Sequence, residues 1–330
     1  MQWLKRHWFL VGLVVLIPTG ITLGMRLSPD SIHRIELAIG PKATTYLVAV
    51  ILFLMSFSLD SRQLGRSLRY PGPVIFACLV NYGLTPLIAW PLMPLQQHNG
   101  LAIGLMIAAT VPCTMAAASV WTRKAGGNDA VSLLVTMLTN GLCFLFTPLW
   151  LSVVVASTFE FDTLDMMKRL IFSALIPATL GQLVRLIPRL RQLAIDHKSL
   201  VGVVAQSCVL IIVFSAAFLK AGPQLADTSR PRIGLVPVLV VWLSCVVVHL
   251  AAMFIAWQGG KLLGFSREDR VAVAMSGSQK TLPIGLLVAN HFGGFALFPM
   301  LMYHASQLFI DTWVAERMAE QGDDNQSPQR

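Results

Sequence analysis

Ten apolar runs, each about 20 residues long, the length that carries an α-helix across a bilayer, lie near residues 8–25, 43–58, 73–93, 101–122, 130–155, 164–184, 200–219, 233–257, 271–290 and 296–314. In lipid every backbone N–H and C=O must find its partner within the protein, which leaves helices or closed barrels. These runs are continuous and lack the alternation of a barrel strand. The expected fold is an all-α polytopic membrane protein. Composition agrees: 55% of the 330 residues are hydrophobic and 12% are charged, against about 25% charged in soluble domains.

Lysine and arginine fix the expected topology, because they concentrate on the cytoplasmic side. Sixteen of the 25 fall on the side that holds both termini, eight fall on the other, and Lys280 lies inside a run. Both termini are therefore expected in the cytoplasm of a bacterial inner-membrane protein. The run from Trp8 to Met25 follows Lys5, Arg6 and His7 as in a signal peptide, but it is long for a cleaved segment and is read as an uncleaved helix. The plan is a cytoplasmic N-terminus at 1–7, five helices over 8–155, a periplasmic linker at 156–163, five more over 164–314 and a disordered cytoplasmic tail at 315–330. The net charge of +9 reflects this loop bias rather than a nucleic-acid surface. The five cysteines sit within apolar runs with no C-x-x-C spacing, so neither a disulfide frame nor a zinc site is indicated.

A shift of 159 residues lays Leu16-Ile17-Pro18 on Leu175-Ile176-Pro177 and superposes most runs of the two halves. Five crossings per half is an odd number, so the halves enter the membrane from opposite sides, as in carriers that work by alternating access.

The fourth run of each half carries polar and helix-breaking residues. Pro112-Cys113-Thr114 precedes Ser119 in one; Ser276-Gly277-Ser278-Gln279-Lys280-Thr281 runs into Pro283 in the other. Proline has no N–H, so Pro112 and Pro283 free carbonyls at Ala108 and Gln279. Such backbone survives at membrane depth only where protein or a wet cavity satisfies it, and half-helix N-termini there favour an anion. Both segments also read as plain proline kinks. The fifth run places Ser132, Thr136, Thr139, Asn140, Cys143 and Thr147 on one helical face, suited to a ligand or to hydroxyl packing between helices. In the tenth, His304, Gln307 and Asp311 recur at i, i+3 and i+7. His249 and His304 suit a proton carrier or a structural bond to a carbonyl, and Asp311 suits an interfacial anchor or a relay. Lys280, near mid-membrane, needs a partner or a wet cavity; Asp311 is the carboxylate within reach. Ser276 and Lys280 are spaced as a Ser–Lys dyad, but no hydrolase motif accompanies them, so the chain is read as a carrier and not an enzyme.

Gly277-Ser278-Gln279-Lys280-Thr281-Leu282-Pro283-Ile284-Gly285, Asn81-Tyr82-Gly83-Leu84-Thr85-Pro86 and the stretch from Ala118 to Thr136 resemble the bile acid:sodium symporter superfamily, closest to its short-looped subgroup. The resemblance covers residues 8–314. It implies a ten-helix fold with a panel and a core, while Lys280 and the half-helix N-termini, not the resemblance, favour a small organic anion as substrate, with no cofactor expected beyond a coupling ion, sodium or a proton. It implies sodium ligands at Ser119, Ser132 and Thr136 for one ion and at Asn81 and Gln279 for another. The acidic ligand is missing: Met275 stands four residues before Gln279, and Lys280 follows it, so Lys280 is expected to supply the charge that sodium supplies elsewhere. Eukaryotic relatives are linked to calcium homeostasis, which implies a regulatory membrane protein as the alternative.

Overall fold

The computed structural model describes residues 2–40, 42–59, 70–115, 117–155, 161–227 and 234–324. Among these residues there are helices and turns and no strand. In chain order the helices are α1 (Gln2–Arg26), α2 (Pro29–Ile39), α3 (Ala43–Ser58), α4 (Gly72–Leu95), α5 (Asn99–Thr110), α6 (Ala118–Lys124), α7 (Asp129–Val155), α8 (Thr163–Arg185), α9 (Pro188–Asp196), α10 (Lys198–Ala226), α11 (Leu235–Leu262), α12 (Arg267–Ser278), α13 (Leu282–Phe292) and α14 (Leu297–Asp324). Five spans (α4, α7, α10, α11 and α12 with α13) are long and apolar enough to cross a bilayer, and two bent pairs bring the described total to seven.

The apolar runs do not pack as one bundle. α1 lies against α10, and α3 lies between α8 and α10, making a four-helix panel. Close approach of α8 to α3 depends on Gly181, where a Cβ would come within 2.6 Å of the Phe53 carbonyl oxygen. Arg185 then donates from Nη1 to the Phe57 carbonyl at 2.8 Å, closing the end of α3. The other helices form a core, with α12 against α4, α7 and α11, and α14 against α5, α11 and α13.

Connections gather at two ends. At one, the Phe76 and Phe265 rings meet at 6.1 Å, Asn128 N donates to the Glu268 carbonyl at 2.9 Å, and Lys124 pairs with Glu316 at 2.7 Å. At the other, the His98 and Phe295 rings meet at 4.6 Å and those of Phe161 and Phe292 at 5.6 Å.

Three features depart from the sequence expectation. α2 and α9 fall where polar connections are expected. Each begins with proline at its first turn, α2 behind a Ser28 cap, and α9 turns 104° away from α8. Helix starts of this kind are stable without a 20-residue apolar run. The expected disordered tail is helical through Asp324, because Ala315 is buried and Met318 and Glu316 accept from Arg267 and Lys124. The helix at the N-terminus begins at Gln2 rather than near residue 8. Residues 60–69 of one basic loop, 156–160 of the linker and 325–330 of the tail lie outside the described residues.

Candidate functional site at the crossing of two broken helices

The fourth and ninth apolar runs are broken. α5 stops at Thr110 and α6 starts at Ala118; α12 stops at Ser278 and α13 starts at Leu282. Val111 is extended, at φ −70° and ψ 157°, as the residue before a proline tends to be. Gln279 and Thr281 are extended as well. The two breaks touch, with Thr281 N donating to the Pro112 carbonyl at 2.8 Å.

Neighbouring helices satisfy the backbone that the breaks release. A π-turn at Val80–Leu84 widens α4 and carries Asn81, whose Nδ2 donates to the carbonyls of Gly277 at 3.1 Å and Gln279 at 3.0 Å. Gln307 of α14 pairs with Lys280 as a strand neighbour would, accepting from its N–H at 2.9 Å and donating to its carbonyl at 2.8 Å. Tyr303 Oη donates to the Ser278 carbonyl at 2.9 Å. On the other break, Asn140 Nδ2 donates to the Cys113 carbonyl at 2.8 Å and Thr147 Oγ1 to that of Thr110 at 2.8 Å. Thr139 Oγ1 accepts from Cys113 N at 3.3 Å, and Thr136 Oγ1 lies 3.5 Å from the Thr114 carbonyl. The polar face of α7 is thus turned onto the α5–α6 break, and its residues are buried.

Lys280 is fully buried between the breaks. Its Nζ donates to Asn81 O at 2.6 Å, Asn81 Oδ1 at 3.2 Å and the Val111 carbonyl at 3.0 Å, with the Tyr82 ring centroid 5.9 Å away. Asp311 is not its partner. That carboxylate is buried rather than interfacial, with Oδ1 2.9 Å from His249 Nε2 and Oδ2 accepting from Gln279 Nε2 at 2.6 Å. Nor do Ser276 and Lys280 form a dyad: α12 ends between them, and Ser276 Oγ donates back to the Ala272 carbonyl at 2.6 Å. Ser278 Oγ likewise turns back, to the Ala274 carbonyl at 2.8 Å. Thr281 is buried beside the crossing, while Ser119, in the first turn of α6, is half-buried.

Buried side-chain atoms without a hydrogen-bond partner include Ser132 Oγ, Asn140 Oδ1 and Gln279 Oε1. Buried polar atoms are rarely left so, and these three lie on the broken helix α12–α13 and on α7, which packs on the other break, with no protein partner to compete with a ligand. No cluster of three or more His, Cys, Asp or Glu among the described residues could hold a metal ion. For sodium, the two implied positions differ. Ser132 Oγ is free, whereas Asn81 offers both oxygens to an ammonium, and Met275, fully buried, supplies no compensating charge. The Asn81 position does not fit sodium while Lys280 is there.

The sequence singles out most of these residues but not Tyr303. Its spacing with Gln307 and Asp311 at i, i+4 and i+8 was the available signal, since that places all three on one face. The Val111 carbonyl, a backbone ligand, leaves no signal in residue type.

A cavity of about 500 Å3 opens between panel and core, toward the end that holds His98 and Phe292. Its apolar walls include Leu47 and Ile212 of the panel and Leu286 of α13, and its polar side holds His33, Asn290 and an ion pair of Lys220 with Glu36 at 2.6 Å.

Comparison with known proteins gives a consistent neighbourhood. Residues 7–320 match the SBF-like CPA transporter family. Sodium/bile acid cotransporter 7 of Danio rerio is 25% identical over 95% of this chain and 96% of its own length. That of Xenopus tropicalis is 24% identical over 93% and 90%. The probable sodium/metabolite cotransporter BASS4, chloroplastic, of Arabidopsis thaliana is 25% identical over 83% of this chain and 65% of its own.

Proposed function

The chain belongs to the SBF-like CPA transporter family, and from that premise we propose that it is a sodium-independent secondary carrier of small organic anions. It is an integral multi-pass membrane protein of the bile acid:sodium symporter type. The observation that carries the finer reading is the coordination of Lys280 Nζ by three oxygens of Asn81 and Val111 at the contact of the two breaks. An ammonium held there by uncharged oxygens keeps a positive charge on the crossing, a function that a bound cation would otherwise serve, and repels a second cation.

One further feature supports an anion, and the cavity supports an organic body. α13 begins beside Lys280 and directs its N-terminal N–H groups toward the crossing, which favours negative charge. The cavity between panel and core has apolar walls and a polar side where Lys220 and Glu36 pair, suiting an organic body with a polar end. Relatives bear names of bile acid and metabolite cotransporters. The architecture supports ten crossings in two inverted halves, since the α1–α10 and α3–α8 contacts exchange under the 159-residue shift and the two breaks meet each other. Panel and core then move against one another around the crossing, with both termini on the cytoplasmic side of a bacterial inner membrane.

A thermal-shift screen of organic anions on the purified protein, in sodium and in N-methylglucamine, tests the reading, because a ligand that binds the native state raises its apparent stability. Hits are expected to give equal shifts in both cations. A shift that requires sodium in the wild type overturns the reading.

A further inference from the structure

We propose that the cavity between panel and core is a binding site for a zwitterionic amphiphile, an apolar body whose polar end carries an ammonium beside an acidic group, with Glu36 taking the ammonium and Lys220 the acid. The site goes beyond the carrier reading and does not rest on it, since among the described residues none from the two breaks lines the cavity.

Local structure puts the two charges there. Ile32 is the buried residue of α2, and Glu36 stands one turn after it, so the carboxylate shares the inward face of that helix. His33 is on the cavity wall as well, whereas Arg34 is exposed and off it. Across from them, Lys220 sits in a π-turn of α10, Ala217–Ala221. Such turns break the α register and gather at functional sites, as the one at Val80–Leu84 brings Asn81 to the crossing. α1 packs directly on the turn: a Cβ at Gly222 would come 2.7 Å from the Ile21 carbonyl oxygen, and one at Gly20 2.9 Å from Ala217 Cβ. The lysine is thus aimed by a backbone distortion that close packing holds in place.

A structural clasp does not account for this build. The side chains of Lys220 and Glu36 are 41% and 31% exposed, and an ion pair so wet contributes little to stability. What the pair does is present a positive and a negative group, 2.6 Å apart, to a space of about 500 Å3 with apolar walls at Leu47, Ile212 and Leu286. The two charges cancel, so a ligand of either sign gains no net attraction. A carboxylate docked on Lys220 alone lies against Glu36, and an ammonium docked on Glu36 alone lies against Lys220; each gains one contact and suffers one like-charge repulsion. A head that carries both signs on neighbouring atoms meets each with its opposite and leaves no charge unpaired. The volume falls within the range of small-molecule sites, about 300–1,000 Å3, so an aliphatic or aromatic body fills the apolar part while the head stays at the charged side.

The test uses the full chain in nanodiscs of phosphatidylglycerol and three probes that share one apolar body and differ in charge: phenylalanine, phenylpropionate and phenethylamine. Thermal unfolding is followed with each, because a bound probe raises the midpoint. Phenylalanine is expected to raise it in the wild type. Glu36→Gln leaves Lys220 alone, so phenylalanine should lose its shift and phenylpropionate should gain one. Lys220→Met should likewise lose the phenylalanine shift and gain one with phenethylamine. Any shift that phenylpropionate owes to the crossing is common to all three proteins, so the change between them reads the cavity; a sodium-dependent anion shift, which removes the carrier reading, leaves this pattern intact. Thr44→Trp fills the cavity from α3 without touching either charge and should abolish the phenylalanine shift. Phosphatidylethanolamine carries the same two charges on its head, and adding it to the nanodiscs separates the sources of the ligand: suppression of the phenylalanine shift assigns the site to a membrane lipid, and an unchanged shift to a water-borne molecule. A phenylalanine shift that is absent from the wild type, or retained in both charge variants, or retained in Thr44→Trp, overturns the proposal.

Discussion

At Lys280 the cost of placing an ammonium at membrane depth, at least about 2.5–3.5 kcal/mol on insertion scales, is offset by three oxygen acceptors. Replacing the lysine removes that cost together with those bonds. Lys280→Met should therefore fold, since the oxygens of Asn81 and Val111 that it strands, at about 1–3 kcal/mol each, are offset in part by the lost burial cost of the charge. It should lose anion binding in the thermal-shift screen; retained binding would show that the charge is not used. Asn81→Leu should be far worse for stability, because the carbonyls of Gly277 and Gln279 and the ammonium all lose a partner, each at about 1–3 kcal/mol. Ser132 and Asn140 make a second contrast. Asn140→Leu strands the Cys113 carbonyl and should lower stability by about 1–3 kcal/mol. Ser132 Oγ has no partner to lose, so Ser132→Ala should leave the denaturation midpoint unchanged and act on ligand binding alone. Equal destabilisation by the two would assign Ser132 a structural role. The sequence places Lys280 within an apolar run, as the structure does within the span Arg267–Phe292, but does not identify its partner. Residue spacing gives height along a helix axis, whereas the choice between Asp311 and a backbone carbonyl depends on which way α14 faces, and His249 and Gln279 already hold that carboxylate.

The helix breaks are legible in the sequence because proline and clustered polar residues within an apolar run have few other uses. The short helices α2 and α9 are not, since with 11 and 9 residues they fall short of the run length that signals a crossing. Their signals were Ser28 with Pro29, and Pro188, at the first turns. Between elements, glycine decides how near two helices come. A Cβ at Gly181 would sit 2.6 Å from Phe53 O and 2.9 Å from Phe57 N. Gly181→Leu should then force α8 from α3 and destabilise the panel by about 1–3 kcal/mol. Gly202, in α10, has nothing within 4 Å of the place a Cβ would take, so Gly202→Ala should be neutral or stabilising by up to about 1 kcal/mol. Thermal unfolding of the pair checks both, and a neutral Gly181→Leu would mean that the panel tolerates a wider spacing.

For the whole molecule, charge and geometry supply independent views of topology. Loop counting assigns sixteen lysines and arginines to one side and eight to the other; packing sorts the described connections onto two ends without reference to charge. The end that joins Phe76 with Phe265, Asn128 with Glu268 and Lys124 with Glu316 is the one expected in the cytoplasm. Single cysteines in a background without the five native ones test this directly. Gln97, exposed beyond the end of α4, and Leu262, 88% exposed at the end of α11, lie at opposite ends and make no hydrogen bond that the substitution would remove. Gly126 is a poorer reporter because its φ of 70° is strained for a residue with a side chain. Gln97→Cys in intact cells should react with an impermeant maleimide, and Leu262→Cys should react only after the membrane is opened. The reverse pattern would invert the topology and turn the cavity beside Asn290 toward the cytoplasm. Reaction of both in intact cells would break the alternation of crossings between α4 and α11, and with it the two inverted halves on which alternating access depends.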